Sequence, residues 1–110
     1  LARKGIFLSA RVHPGESNAS WMMRGLLDFL LSSSEDALLL RSEYVFKIVP
    51  MLNPDGVMHG HYRANMAGFD LNRQWQTPSL QRHPTIYHSK ALIQSLQAER
   101  PVVMFLDMHG

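Results

Sequence analysis

Short apolar runs alternate with segments of helical periodicity along the chain, an order that is typical of an α/β protein. Each apolar run is nearly continuous and ends at turn-forming residues, as buried strands do. The predicted strands are residues 5–12, 44–52 and 102–108. The predicted helices are residues 17–31, 34–41 and 84–98. We therefore expect an α/β fold in three layers, with helices on both faces of a mostly parallel or mixed sheet.

The first helix and the third strand are both expected to contribute to the core. The apolar stripe predicted to face the sheet consists of Met22, Leu26, Phe29 and Leu30. The adjacent Trp21 and Met23, together with Met22, are interpreted as core residues rather than as a binding site. Residues 102–108 form an almost continuous apolar run, so we expect this strand to be buried on both faces.

A long irregular segment separates the second strand from the last helix. It begins with Asn53-Pro54-Asp55-Gly56, which is predicted to be a turn because proline stands second and glycine fourth. From there to about residue 84 no periodicity is sustained. Irregular segments of this length inside a compact domain are usually functional. Its polar and aromatic residues include His59, His61, Arg63, Asn65, Asp70, Asn72, Arg73 and Trp75.

Composition narrows the class of protein. The 110 residues suffice for one domain, and 45% hydrophobic with 18% charged residues is an ordinary globular balance. A net charge of +2 without a lysine or arginine run indicates no nucleic-acid partner, although it is compatible with an acidic substrate. The chain has no cysteine, which excludes disulfides and favours a reducing compartment. No apolar stretch approaches the ~20 residues of a membrane span, so we expect no membrane partner.

Two histidines and one glutamate are predicted to meet at one edge of the sheet. His13 and Glu16 lie at the junction of the first strand and first helix, and His109 follows the third strand. The carboxyl ends of neighbouring parallel strands lie at the same edge of a sheet. Imidazole and carboxylate groups suit zinc, and a vacant fourth position can hold a water whose pKa falls to roughly 7 on the metal. The pattern therefore predicts a catalytic zinc site.

Polar residues of the irregular segment are candidates to surround this site. Arg73 beside Asn72 is a natural receptor for a carboxylate, because a guanidinium offers two parallel donors. Asp70 is a candidate acceptor for the ring N–H of a metal-bound histidine, a contact that fixes the ring and strengthens the ligand. Arg63 is a candidate to hold a carbonyl oxygen as negative charge develops on it. Such a site would cleave next to a free chain terminus.

Four motifs together resemble the zinc metallocarboxypeptidases in order and approximate spacing. They are His13-Pro14-Gly15-Glu16, Asn53-Pro54-Asp55-Gly56-Val57, Asp70-Leu71-Asn72-Arg73 and Asp107-Met108-His109-Gly110. In detail the chain resembles the cytosolic carboxypeptidase branch, whose members trim glutamates from tubulin and other proteins. The resemblance covers essentially the whole chain. It implies a zinc carboxypeptidase that acts on glutamylated C-terminal tails, tubulin among them, in the cytoplasm.

The resemblance also implies a role for each candidate residue. The implied ligands of one zinc ion per catalytic domain are His13, Glu16 and His109. Asn72 and Arg73 would hold the terminal carboxylate of the substrate, Arg63 would polarise the scissile carbonyl, and Asp70 would support a ligand histidine. His59 and His61 match no ligand of the family, and we interpret them as loop residues near the mouth of the cleft.

One part of the family's machinery has no counterpart in this sequence. The general-base glutamate of the family lies well beyond the third ligand, and no glutamate here stands at a matching position. The chain also begins without methionine and stops directly after a predicted strand. We therefore expect residues 1–110 to be the N-terminal part of a larger catalytic domain, and to lack useful peptidase activity alone.

Two other functions remain open from the residues. An aspartoacylase-like zinc deacylase has a similar ligand set and its own Asp-Leu-Asn-Arg motif, although residues 13–16 and 53–56 match the peptidases better. A non-catalytic module that binds acidic tails through its arginines is the third possibility, and the complete ligand set argues against it. The oligomeric state is not indicated by the sequence.

Overall fold

The structure, a computed structural model, describes residues 2–110. Its strands are β1 (Lys4–Ala10), β2 (Tyr44–Val49) and β3 (Val102–Met108). Its helices are α1 (Ser17–Leu30), α2 (Glu35–Glu43), α3 (Pro54–Met58) and α4 (Pro84–Glu99), with a short 3₁₀ turn at Leu71–Arg73. None of the helices in this described range combines the length and apolar character needed to cross a bilayer.

The three strands form one parallel sheet in the order β2-β1-β3. Ser9 of the central strand stands opposite Val49 of β2 and Asp107 of β3, and Ala10 stands opposite Met108. The carboxyl ends of all three strands therefore reach one edge of the sheet. The predicted parallel neighbours are confirmed, and the residues after β1 and β3 start from adjacent points of this edge.

Helices cover both faces of the sheet, so the predicted three-layer α/β fold is confirmed. Ile6, Leu8 and Ala10 of β1 form a buried cluster with Ala19 and Met23 of α1. On the opposite face, a side chain at Gly5 would lie 2.9 Å from the Leu96 side chain of α4. Glycine at this position of β1 therefore allows α4 to approach the sheet closely.

The expectation that β3 is buried on both faces is wrong. Its four central side chains are 44–51% exposed: Val103, Met104, Phe105 and Leu106. Within residues 2–110, β3 is an edge strand with a neighbour only on the β1 side. An apolar run indicates the capacity for burial, whereas the number of neighbouring elements decides how much burial occurs.

The predicted core stripe of α1 is also partly wrong. Met22 is 46% and Phe29 39% exposed, and Trp21 is 66% exposed, so these residues do not belong to the core. The buried side chains of α1 are Ala19, Met23 and Leu30. Met23 and Leu30 are buried as predicted, and Leu26 packs against the core. Successive helical residues point about 100° apart, so the neighbouring Trp21 and Met22 face solvent although they continue the apolar pattern.

The motif Asn53-Pro54-Asp55-Gly56 begins a short helix, and the predicted isolated turn is wrong in this respect. The Asn53 side chain caps α3 by accepting a hydrogen bond from the Gly56 N–H at 3.0 Å. Pro54 occupies the first helical position, where the absence of an N–H has no cost. β1 and β2 end two and three residues before the predicted ends, at Ala10 and Val49.

Candidate functional site

The side chains of His13, Glu16 and His109 converge at the carboxyl edge of the sheet. One potential ligand atom from each lies within 4.8 Å of the other two. His13 Nδ1 is 3.1 Å from Glu16 Oε1, and His109 Nε2 is 3.4 Å from Glu16 Oε2. The two imidazole rings meet edge to face, with centroids 4.7 Å apart. The structure thus brings together all three residues predicted as metal ligands.

The close turn between His13 and α1 depends on a glycine. The Gly15 N–H donates a hydrogen bond to the Tyr62 carbonyl oxygen at 2.8 Å. A Cβ atom at Gly15 would lie 2.3 Å from Cδ2 of the Tyr62 ring, far inside van der Waals contact. Glycine is therefore required by the close approach of the irregular segment, which docks Arg63 beside the candidate ligands.

Asp70 connects the candidate ligands to the irregular segment. Its Oδ1 oxygen accepts hydrogen bonds from His13 Nε2 at 2.8 Å and from the Asn72 backbone N–H at 2.9 Å. Its Oδ2 oxygen accepts a hydrogen bond from Arg63 Nε at 2.9 Å. The Asp70 carboxylate therefore fixes the His13 ring and orients Arg63, whose side chain is half exposed and keeps its other donors free.

Both carboxylates next to His13 are stabilised in the ionised form. Burial acts to raise the pKa of Glu16, but hydrogen bonds from the Gly110 N–H and His13, and the charge of nearby histidines, hold the pKa below its ordinary value. Burial likewise opposes ionisation of Asp70, and the contacts with His13, the Asn72 N–H and Arg63 lower its pKa overall. Both groups therefore act as hydrogen-bond acceptors at neutral pH.

His109 is supported by contacts that the sequence did not indicate. Its Nδ1 lies 3.2 Å from Oδ2 of Asp107, and the fully buried Ser9 donates a hydrogen bond to Asp107 Oδ1 at 2.7 Å. Asn18 of α1 contacts the His109 carbonyl oxygen at 3.4 Å. A serine in the middle of an apolar strand was the available signal, because a buried hydroxyl needs a polar partner.

Asn72 is oriented, whereas Arg73 is exposed. Trp75 Nε1 donates a hydrogen bond to Asn72 Oδ1 at 3.2 Å, and the Trp75 ring contacts Phe105 of β3 edge to face, with centroids 5.7 Å apart. This hydrogen bond fixes the Asn72 amide with its oxygen toward Trp75. Trp75 was noted in the sequence without a role, and the structure makes it the support of this amide.

The donor set fits a zinc ion. Each histidine presents one ring nitrogen to Glu16 and directs the other to an aspartate, Asp70 for His13 and Asp107 for His109. Aspartates that engage the second ring nitrogen are a regular accompaniment of metal-binding histidines, since they fix the tautomer. Two imidazoles and one carboxylate leave a fourth position of a tetrahedral centre open. These three residues could therefore hold a catalytic metal.

The family model and the related sequences that match this chain all describe carboxypeptidases. The sequence model of the zinc carboxypeptidase family matches residues 1–110. Cytosolic carboxypeptidase 1 of Danio rerio is 58% identical in an alignment 110 residues long that covers 99% of this chain and 10% of that protein. Cytosolic carboxypeptidase 2 of Mus musculus is 55% identical over 109 residues, covering 99% of this chain and 13% of that protein.

Solved structures agree with the sequence relatives. A metallo-carboxypeptidase from Burkholderia cenocepacia superposes with a TM-score of 0.90 at 36% identity, covering 100% of this chain and 29% of that one. A Pseudomonas aeruginosa metallo-carboxypeptidase in complex with (2-guanidinoethylmercapto)succinic acid gives a TM-score of 0.81 at 37% identity, covering 99% and 28% of the two chains.

The chain spans about a tenth of the curated relatives it matches and under a third of these structures. The relatives' names describe cytosolic proteins, in agreement with the predicted compartment. The family's sequence model matches the whole chain, and the α/β fold and the grouped histidines and glutamate agree with that match. The predicted resemblance is therefore confirmed, and the chain belongs to the zinc carboxypeptidase family.

Proposed function

We propose that this chain forms the metal-binding part of a zinc-dependent metallocarboxypeptidase, which removes amino acids from the C-terminus of proteins. The observation that carries the proposal is the convergence of ligand atoms from His13, Glu16 and His109 within 4.8 Å. These residues come from the two ends of the chain, and the parallel pairing of β1 with β3 places them together. The three residues would hold one zinc ion per catalytic domain.

The residues around the ligands have separate tasks in this proposal. When bound, zinc would act as a Lewis acid, which polarises a carbonyl group and lowers the pKa of a bound water to roughly 7. Asp70 keeps the His13 ring in one orientation through the 2.8 Å contact at Nε2. Arg63, held by the same carboxylate, donates hydrogen bonds from its free Nη groups to the carbonyl oxygen as negative charge develops there.

Recognition of the chain terminus is assigned to Asn72 and Arg73. The Asn72 amide nitrogen donates to one oxygen of the terminal carboxylate, because Trp75 occupies the amide oxygen. The exposed Arg73 guanidinium adds a charge-assisted contact to the same group. Two directional donors next to a zinc site select the last peptide bond over internal ones, which have no free carboxylate.

We further propose that the substrates are glutamylated C-terminal tails, tubulin tails among them, in the cytoplasm. The support is the resemblance of the four motifs to the cytosolic carboxypeptidase branch, and the positive groups Arg63 and Arg73 beside the site. The related Pseudomonas aeruginosa enzyme was solved with (2-guanidinoethylmercapto)succinic acid, which carries two carboxyl groups and a guanidino group, so this ligand supports recognition of a carboxylate and not a preference for glutamate.

Residues 1–110 are proposed to be the N-terminal part of the catalytic domain. The solved relatives are more than three times as long as the matched region, since the chain covers 28–29% of their lengths. The general base is assigned to the part of the parent protein that follows. A missing general base costs roughly 10²–10⁴-fold in rate, so residues 1–110 alone should show no useful turnover.

The test uses the full-length protein and peptides that end in glutamates. We expect about one zinc per catalytic domain, release of C-terminal glutamate, and no release from the same peptide with an amidated terminus. His13→Ala should abolish both zinc binding and turnover. Hydrolysis of N-acyl amino acids without peptide cleavage would indicate a deacylase instead, and tail binding without zinc or turnover would indicate a binding module.

A further inference from the structure

We infer that Arg11 is a positioning residue that holds both His13 and Glu16 in the geometry of the metal site. The inference rests on the proposed zinc site and adds to it a residue that does not itself bind the metal. It is carried by the backbone conformation of Arg11 and by the two hydrogen bonds of its guanidinium.

The backbone of Arg11 adopts a conformation that side chains disfavour. Its φ is +58°, and within residues 2–110 no other residue except glycine has a positive φ. In this left-handed region Cβ crowds the following carbonyl, so a residue other than glycine occurs there at a cost. Such strain persists only when other contacts hold it in place. Arg11 stands directly between the end of β1 and the turn that carries His13.

The guanidinium of Arg11 supplies the contacts that hold this conformation. Its Nε donates a hydrogen bond to the Pro14 carbonyl oxygen at 3.0 Å, and its Nη1 donates to Ser20 Oγ at 2.7 Å. The Arg11 carbonyl oxygen accepts a hydrogen bond from the Asn53 N–H at 3.2 Å. The side chain is partly buried, so water competes for these donors less than at an open surface.

The two guanidinium hydrogen bonds join segments on either side of the candidate ligands His13 and Glu16. Bonding to Pro14 closes the loop around His13, because residues on both sides of the histidine are fixed to one another. Bonding to Ser20 fixes the first turn of α1, and Glu16 stands immediately before that helix. One guanidinium therefore sets the position of the helix start relative to the turn, and with it the separation of the two ligand atoms.

Arginine suits this task better than the residues that resemble it. The planar guanidinium group offers several donors at fixed angles, so it can bind the Pro14 carbonyl oxygen and the Ser20 hydroxyl at the same time. Lysine keeps the charge and the length but presents a single point of donation. Glycine would accept the positive φ without strain, yet it would lose both side-chain bonds. The two substitutions therefore separate backbone strain from the guanidinium contacts.

The experiment compares Arg11→Lys, Arg11→Gly and the control Arg24→Ala in the full-length protein. Arg24 is an arginine of α1 whose side chain is 69% exposed and faces Asp28. Zinc affinity is measured by chelator competition, and thermal unfolding is followed on the metal-free proteins.

We expect both Arg11 variants to bind zinc roughly 10–100-fold more weakly, as for other residues that orient ligands, and the zinc affinity of Arg24→Ala to remain unchanged. Metal-free Arg11→Gly should unfold no earlier than Arg11→Lys, because glycine relieves the backbone strain.

Three results would overturn the inference. Wild-type zinc affinity in Arg11→Gly would show that the guanidinium contacts are not needed, and wild-type affinity in Arg11→Lys would show that charge alone suffices. A third contrary result would be a loss of zinc affinity that is proportional to the loss in melting temperature of the metal-free protein and is equally large in Arg24→Ala. That result would show a general loss of stability. His13→Ala is measured in parallel, because zinc retention in that variant would refute the proposed site itself.

Discussion

Asp70 lies 57 residues after His13 in the chain, yet its Oδ1 oxygen is 2.8 Å from Nε2 of the His13 ring. The contact joins the turn after β1 to the 3₁₀ turn of the irregular segment, which has no strand or long helix to position it. It also places Arg63 and Asn72 on the same carboxylate. In the proposed site, the orientation of a metal ligand and of the residues assigned to the substrate therefore depends on one side chain.

Replacing Asp70 by asparagine should weaken metal binding. Asparagine keeps the size of the side chain but offers His13 and Arg63 a weaker, uncharged acceptor. We expect zinc affinity to fall roughly 10–100-fold, as is usual for partners of metal-bound histidines. Chelator competition measures the change. Asp28→Asn, on an exposed part of α1, is the matched control and should leave affinity unchanged; an equal loss in both variants would contradict the prediction.

The lowered pKa of Asp70 predicts a specific acid sensitivity of the metal-free catalytic domain. Folding favours the ionised carboxylate, so Asp70 stabilises the domain above its ordinary pKa of 3.8, and this contribution is lost as pH falls toward the lower folded-state pKa. The difference in free energy of unfolding between wild type and Asp70→Asn should shrink as the pH is lowered from about 5 to below about 4. Urea unfolding across this range tests it, and a difference that grows on acidification would contradict the sign.

Replacing Trp75 by phenylalanine should impair recognition of the substrate terminus. Phenylalanine keeps an aromatic ring against Phe105 but removes the N–H that orients the Asn72 amide. One hydrogen bond of this kind is worth about 1 kcal/mol, so we expect kcat/KM to fall roughly fivefold, mainly through KM. Steady-state kinetics on a glutamate-tailed peptide measure it. A fall in kcat with unchanged KM would argue against an effect on carboxylate binding.

Gly15→Ala should destabilise the turn between the ligands. The added methyl group would lie 2.3 Å from the Tyr62 ring and 2.8 Å from the Tyr62 carbonyl oxygen, so the backbone must shift. We expect a loss of about 1–3 kcal/mol in the free energy of unfolding, together with weaker zinc binding.

Gly25→Ala provides the matched control for Gly15→Ala. Gly25 stands inside α1, and apart from the backbone of its own helix and its chain neighbours no atom of the described residues lies within 4 Å of a Cβ at this position. Alanine there should stabilise the protein by roughly 0.5–1 kcal/mol, because it favours the helix. Urea unfolding of both variants measures the contrast, and equal effects would exclude the close contact as the cause.

The convergence of the metal-ligand candidates was predictable because it follows from topology. Once β1 and β3 are parallel neighbours, the residues after their carboxyl ends must meet, and His13 and His109 occupy those positions. Hydrophobic patterning did not decide between Met22 and Met23, because both continue an apolar pattern and only packing showed which one faces the sheet.

The supports of the ligands were less predictable than the ligands. Ser9 and Asp107 are 98 residues apart, and their contact depends on the register between two strands. Register arises from the whole packing of the sheet, so Ser9 in an apolar strand indicates that a polar partner is needed but not that the partner is Asp107. The positive φ of Arg11 was equally hidden, since arginine is not a residue that usually occupies the left-handed region.

The alignment of β3 beside β1 has a consequence for assembly of the protein. An irregularity between Gly5 and Ile6 sets which residues face each other, and from there Ala10 comes to face Met108. A slip of one position would carry His109 about 3.3 Å along the strand and turn its neighbours to the opposite face. At bond lengths of about 2 Å, zinc would then lose its third donor. We therefore expect a metal at the proposed site to favour the correctly aligned strands, because only these bring all three donors within reach of one ion.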